Sequence, residues 1–218
     1  MMRLPTIENY EISNVIKILD IPKVSPVEKT YCLMNDKDKI MLIKTVERIV
    51  RGSMEYKQYI QFLKSEINMT ECSFFNNVSN ANNNVSIEIH HEPFTLFDIS
   101  QIVLEKYIHE DIEINPLMIA DEVMRLHYRD MVGLIPLSVT VHQLVHDGKL
   151  FIPLQNVYGN YISFLQEYGE YIPVELNNML EMKLKLSKDV DSVDNSILEK
   201  QFVYLNVDGF SFPQFIQQ

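Results

Sequence analysis

The chain has 218 residues, 46% of them hydrophobic and 22% charged, with a formal net charge of −11. That apolar content is enough for a real core, and six glycines and nine prolines argue against extensive disorder. No apolar run approaches the roughly 20 residues of a membrane span, residues 1–8 lack the apolar core of a secretory signal, and the acidic balance counts against general nucleic-acid affinity, which rests on Lys and Arg.

Residues 1–35, with Pro5, Pro22 and Pro26, read as short irregular elements. From Asp36 the spacing predicts a helix, because Ile40, Ile43, Val46 and Val50 recur at three- and four-residue intervals. Gly52 and Ser53 interrupt it. Ser53 can cap a second helix with Tyr56, Ile60, Leu63 and Ile67 on one face. This pair carries Lys37, Lys39, Lys44, Arg48, Arg51, Lys57 and Lys64, and a solvated helix face is its first reading, a phosphate-contacting surface its second.

Residues 76–84 include six asparagines and read as a flexible loop. A strand follows over 85–89, with Val85, Ile87 and Ile89 on one face and Ser86, Glu88 and His90 on the other. Pro93 stops it, and 94–104 is predicted helical from near Thr95. Asn115 and Pro116 start another helix, an Asn cap followed by Pro at the first helical position, with Ile119, Val123, Leu126 and His127 facing inward. That element ends at Gly133. Residues 134–137 read as a strand or extended turn. Ser138 or Thr140 then caps a helix through His146, with Gly148 as its C-cap. A further strand is expected over 150–154. The remainder is predicted helical over 158–186, a polar linker over 187–195, and an aromatic-rich closing strand over 202–215 that docks on the body. Cys32 and Cys72 form no Cys-x-x-Cys pattern and read as reduced, structural thiols.

Four of the six histidines fall in two clusters, His90-His91 and His142-x-x-x-His146. Positions four apart on a helix share a face, so His142 and His146 can share a metal ion. His90 is the natural third ligand, arriving from the strand. Three imidazoles leave coordination positions open, as catalytic metal sites require. His91 would point away from the metal, toward substrate, and could take a proton from water. His127 reads as a core or supporting residue. Glu88 and Glu92 either hold a histidine tautomer or face solvent. His109, beside Glu110 and Asp111, reads as exposed.

The segments 87–91 and 137–149 together resemble the HNH, or ββα-metal, nuclease family, most closely its colicin-DNase form. The resemblance implies an α+β fold, a ββα-metal (HNH-like) core embedded in a mostly α-helical protein. It implies His90, His142 and His146 as ligands of one divalent ion (Zn, Mg, Mn or Ni) and His91 as general base. It departs from the family in that the middle Asn would fall near Gly133, where there is none. The Asn-, Ile- and Tyr-rich style also resembles uncharacterised HNH-like proteins of bacteriophages. The expected organisation is an N-terminal helical region (1–75), the HNH-like core with a helical insertion at about 94–131 (76–157), and a C-terminal helical extension with a closing tail (158–218).

The leading expectation is a phage-encoded, metal-dependent endonuclease in the host cytoplasm, acting on DNA ahead of RNA, with no membrane partner. Arg125, Arg129 or Lys149 would clamp a phosphate. The competing expectation is a non-catalytic scaffold with a structural or vestigial metal site, whose acidic surface binds a protein partner. A third is a virion or assembly component that docks through its aromatic tail.

Overall fold

The computed structural model describes residues 35–75, 78–81, 85–190, 202–207 and 210–215. The irregular elements expected over 1–35 lie outside these residues except for Asn35, and Cys32 lies outside them too; of the linker expected over 187–195, residues 191–195 lie outside, while 187–190 are helical and correct that expectation. The fold is α+β with helices dominant.

Helix α1 (Asp36–Gly52) starts where the Asn35 side chain accepts the Asp38 N–H, with Asp36 and Asp38 in the first turn where the helix dipole favours negative charge. It buries Leu42, Ile43, Val46 and Val50, while Ile40 lies exposed off that face. Ser53 closes α1 and opens α2 (Met54–Ser65), its hydroxyl accepting the Tyr56 N–H. Strand β1 covers Ile87–His91, two residues beyond the expected end. It ends before a cis Glu92–Pro93 peptide. Helix α3 (Leu96–His109) begins with a capping box between Thr95 and Asp98. Helix α4 (Pro116–Tyr128) has Asn115 as its cap and Pro at the first position. Helices α1, α3 and α4 pack on one another around Val46, Val50, Ile102, Val103, Ile119, Val123 and Leu126. Burying this apolar surface is the main drive for that part of the fold, at about 25 cal/mol per Å² removed from water.

Strand β2 (Leu134–Ser138) pairs antiparallel with β1, Ile87 opposite Ser138 and His91 opposite Leu134. Helix α5 (Val139–His146) follows with no intervening residue, because Ser138 is also its N-cap. Gly148, with φ at +67°, closes α5 in the left-handed conformation a C-cap needs. A second apolar cluster fills the space beneath this β-β-α unit, built from Ile87, Ile135, Leu137, Val141, Leu144 and buried, free Cys72.

Three further expectations are corrected. Residues 150–154 are not a strand; the chain bends at Leu150, runs on without regular structure and then makes a 3-10 turn at Leu154–Asn156. Leu150, Ile152 and Leu154 are buried by packing and not by strand pairing. The helical stretch expected over 158–186 is two helices, α6 (Tyr161–Tyr168) and α7 (Val174–Val190), separated by a 3-10 turn and by Pro173, which disfavours helix in the residue before it. The aromatic tail is a hairpin, β3 (Phe202–Val207) with β4 (Phe210–Phe215), and not one closing strand.

Gly133 explains why no Asn stands at the start of β2. A Cβ at this position would lie 1.8 Å from the Glu92 carbonyl oxygen, and the Glu92 N–H donates to the Gly133 carbonyl at 3.0 Å. Only glycine permits that backbone approach. Gly133→Ala is expected to destabilise the protein by about 2–3 kcal/mol, the upper part of the range for forcing atoms into a packed site, because the atom met is backbone. Urea denaturation measures it, and a change below about 0.5 kcal/mol, the scatter of neutral surface substitutions, would refute the packing argument.

Candidate metal centre

The strand pairing fixes His90 and His91 opposite Ile135 and Leu134, and α5 leaves the end of β2 directly. His142 and His146 therefore lie over the His90 end of β1. One ligand nitrogen from each of His90, His142 and His146 falls within 4.8 Å of the others, enough to hold a metal ion. His142 Nε2 and His146 Nε2 are 3.0 Å apart. Two imidazole nitrogens on one tetrahedral zinc, each at about 2.05 Å, would be separated by about 3.3 Å, so the pair already has nearly the bite of a chelate. The donor set fits the metal the sequence implies.

Carboxylates flank two of these rings. Glu88 Oε2 bonds His142 Nδ1. A carboxylate can only accept, so Nδ1 carries hydrogen and Nε2 keeps its lone pair for the metal. Glu92 is 3% exposed and holds its Oε2 3.7 Å from His90 Nε2, beyond hydrogen-bond range but close for a charge. The Glu92 charge is compensated from the far end of the chain. Lys183 of α7 places Nζ 2.6 Å from Glu92 Oε1 and donates to the Pro93 carbonyl at 2.9 Å.

His91 sits differently from the sequence expectation of a histidine projecting toward substrate. It is 4% exposed, stacks on Tyr56 with ring centroids 6.4 Å apart, and contacts His127 Nε2 through its own Nε2 at 3.0 Å. His127 Nδ1 lies 2.7 Å from the Val123 carbonyl. That carbonyl can only accept, so His127 carries hydrogen on Nδ1 and offers a lone pair at Nε2. His91 must then donate from Nε2, which leaves its Nδ1 as the unprotonated nitrogen. The chain Val123–His127–His91 sets the tautomer of His91 without an Asn. Burial pushes the His127 pKa down to about 4. Burial first, then the neighbouring His127 and Arg51, holds His91 well below the ordinary histidine range.

His90, His91, His142 and His146 line one open pocket with Arg51, and its wall includes Ile89, Thr95 and Leu96. The other sequence-selected residues are engaged elsewhere. Arg125 pairs with Asp121 at 3.0 Å, Arg129 makes a two-pronged pair with Glu167 at 3.1 and 2.8 Å, and Lys149 pairs with Asp147 at 3.1 Å. His109 lies edge-on to Tyr171, apart from the cluster. Sequence reasoning missed Lys183, which gave no signal 90 residues from Pro93. It counted Arg51 only as one of seven basic residues of the helix pair, read first as a solvated face, and did not place it beside the histidines.

The sequence model of a family described as Bacteriophage G278-like virion protein matches residues 9–209. No curated protein and no solved structure matches the chain. Among the described residues no helix is long and apolar enough to cross a membrane.

The buried histidines give the fold a pH dependence of defined sign. Their folded pKa values are depressed, so they are neutral in both states above about pH 6.5 and cost nothing there. As pH falls from 6.5 through about 4, the unfolded chain binds protons that buried His127 refuses, and stability is lost. The loss from His127 alone should reach about 3 kcal/mol. Denaturant melts between pH 7 and 4 should therefore fall more steeply for the parent than for His127→Gln; parallel curves would contradict this.

Proposed function

The chain belongs to the Bacteriophage G278-like virion protein family, and on that premise we propose that it is a virion component carrying a one-metal, HNH-like site that hydrolyses nucleic-acid phosphodiester bonds. The observation that carries this reading is the convergence of His90, His142 and His146 from a β-β-α unit, with His91 in the same pocket. A structural metal site needs a closed shell of protein ligands, whereas three imidazoles leave positions for water or phosphate. The all-imidazole donor set suits zinc, nickel, copper or iron and disfavours magnesium, which prefers oxygen.

A divalent ion bound there would polarise the phosphate and offset charge developing on its oxygens. The chain's own residues do the rest. Glu88 orients His142, and the Glu92–Lys183 pair keeps a compensated carboxylate beside His90. His91, neutral and with Nδ1 unprotonated, accepts the proton of the attacking water as a P–O bond breaks and the leaving oxygen departs. DNA is put ahead of RNA as substrate. A partner that delivers the nucleic acid would offset the net charge of −11.

One observation favours a second reading, a non-catalytic virion protein in which the same metal braces the β-β-α unit and the acidic surface meets a protein partner. His91 is buried and its Nε2 is already committed to His127.

Nicking of supercoiled plasmid with Zn²⁺, Ni²⁺, Mn²⁺ or Mg²⁺ separates the two. The hydrolase reading expects cleavage by the parent and a loss of about 100-fold or more in His91→Ala, the usual contribution of a general base. Folded parent that cleaves with none of these ions would leave the scaffold reading.

A further inference from the structure

Arg51 occupies the last turn of α1 and lines the histidine pocket. Its side chain is 55% exposed, and its partner there is Glu47, one turn back, at 3.6 Å. That separation is long for a charge-assisted hydrogen bond, so the guanidinium keeps donor capacity. A cation at a helix C-terminus also stabilises the helix dipole, but that role asks nothing of the pocket.

The other side of the pocket points the same way. Thr95 and Leu96, the cap and first residue of 14-residue α3, form part of the wall, so the N-terminal end of that helix borders the cavity, with Asp98 of the capping box offsetting part of its dipole. Of the nearby carboxylates, Glu92 is paired with Lys183, while Glu88 accepts from His142 and Asp98 from the Thr95 cap and both keep their charge, so an anion here depends on the guanidinium. The cavity itself is about 70 Å³ and opens to solvent, so a phosphate group would sit at its mouth beside the histidines.

We propose that Arg51 binds a non-bridging oxygen of a phosphate ester seated in the histidine pocket, and so takes the clamp role expected of Arg125, Arg129 or Lys149, none of which lines that pocket. The guanidinium fork matches two phosphate oxygens, and Arg is the side chain suited to such planar recognition. The proposal rests on the hydrolase reading for its substrate class, but anion binding is measurable apart from catalysis.

Calorimetric titration of the full chain with inorganic phosphate and with the dinucleotide dTpdT, each with and without Zn²⁺, tests it. Arg51→Ala should weaken binding by about ten-fold, the worth of one charge-assisted contact. Arg51→Lys should lie between it and the parent, and Arg48→Ala, which removes an exposed charge from the same helix outside the pocket, should bind as the parent does. Tighter binding of dTpdT than of phosphate identifies the diester as the fitted ligand; the reverse order with the same Arg51 dependence supports a phosphate-binding pocket but assigns it to a monoester. Equal affinities in parent and Arg51→Ala, or an equal loss in Arg48→Ala, overturn the proposal, as does a parent that binds neither probe under either condition. Arg51-dependent binding that persists without any zinc uptake would sustain Arg51 and sink the metal-hydrolase reading instead.

Discussion

One residue, Ser138, ties the site together. It is the last residue of β2, the partner of Ile87 in the antiparallel ladder, and the N-cap of α5. Strand register and helix start are thus fixed by the same residue. The side-chain period of a strand is two, so a slip of one residue in β1 would exchange the faces of His90 and His91. The Gly133–Glu92 backbone contact holds the other end of the pairing. Between these two anchors the hairpin has little freedom, and α5 must present His142 and His146 to the end of β1. The apolar cluster around Ile135, Leu137, Val141 and Leu144 then keeps helix and hairpin packed.

Within that frame, adjacent histidines acquire different chemistry from their surroundings. His90 faces Glu92 and the two helical histidines, where carboxylates favour metal-ligating nitrogens. His91, one residue on, lies among Tyr56 and His127 in a nearly dry setting. Burial leaves it neutral, and the hydrogen-bonded chain from Val123 holds it in one tautomer. An Asn at the position of Gly133 would clash with the backbone, and His127 from α4 supplies fixed orientation by a different route.

The helices were legible because their signals are local. Asn35, Ser53, Thr95, Asn115 and Ser138 all cap as their residue types dictate, and each side chain accepts a backbone N–H within its own first turn. The histidine triad was legible because its spacing encodes geometry, i to i+4 on a helix and one position on a strand. Long-range contacts carried no such mark. Lys183 reaches Glu92 from the last long helix, and Arg51 meets the histidines only because α1 packs against α3 and α4. Alternation along β1 assigned faces but carried no information on burial. The strand is covered on both faces at its histidine end, so His90 and His91 are both buried. At 150–154 an apolar run looked like a strand, but burial without a pairing partner produces the same pattern.

The central claim is that His90, His142 and His146 form one metal site in a virion protein. The most direct test is titration with Co²⁺, followed by its visible ligand-field absorption, for the parent and for single alanine variants at these residues and at His91. The account predicts one ion per chain in the parent, a strong loss of affinity on substitution of any of the three ligands, and retention of binding in His91→Ala. Undiminished binding after substitution of His142 and His146, or a loss in His91→Ala as large as in His90→Ala, would contradict it.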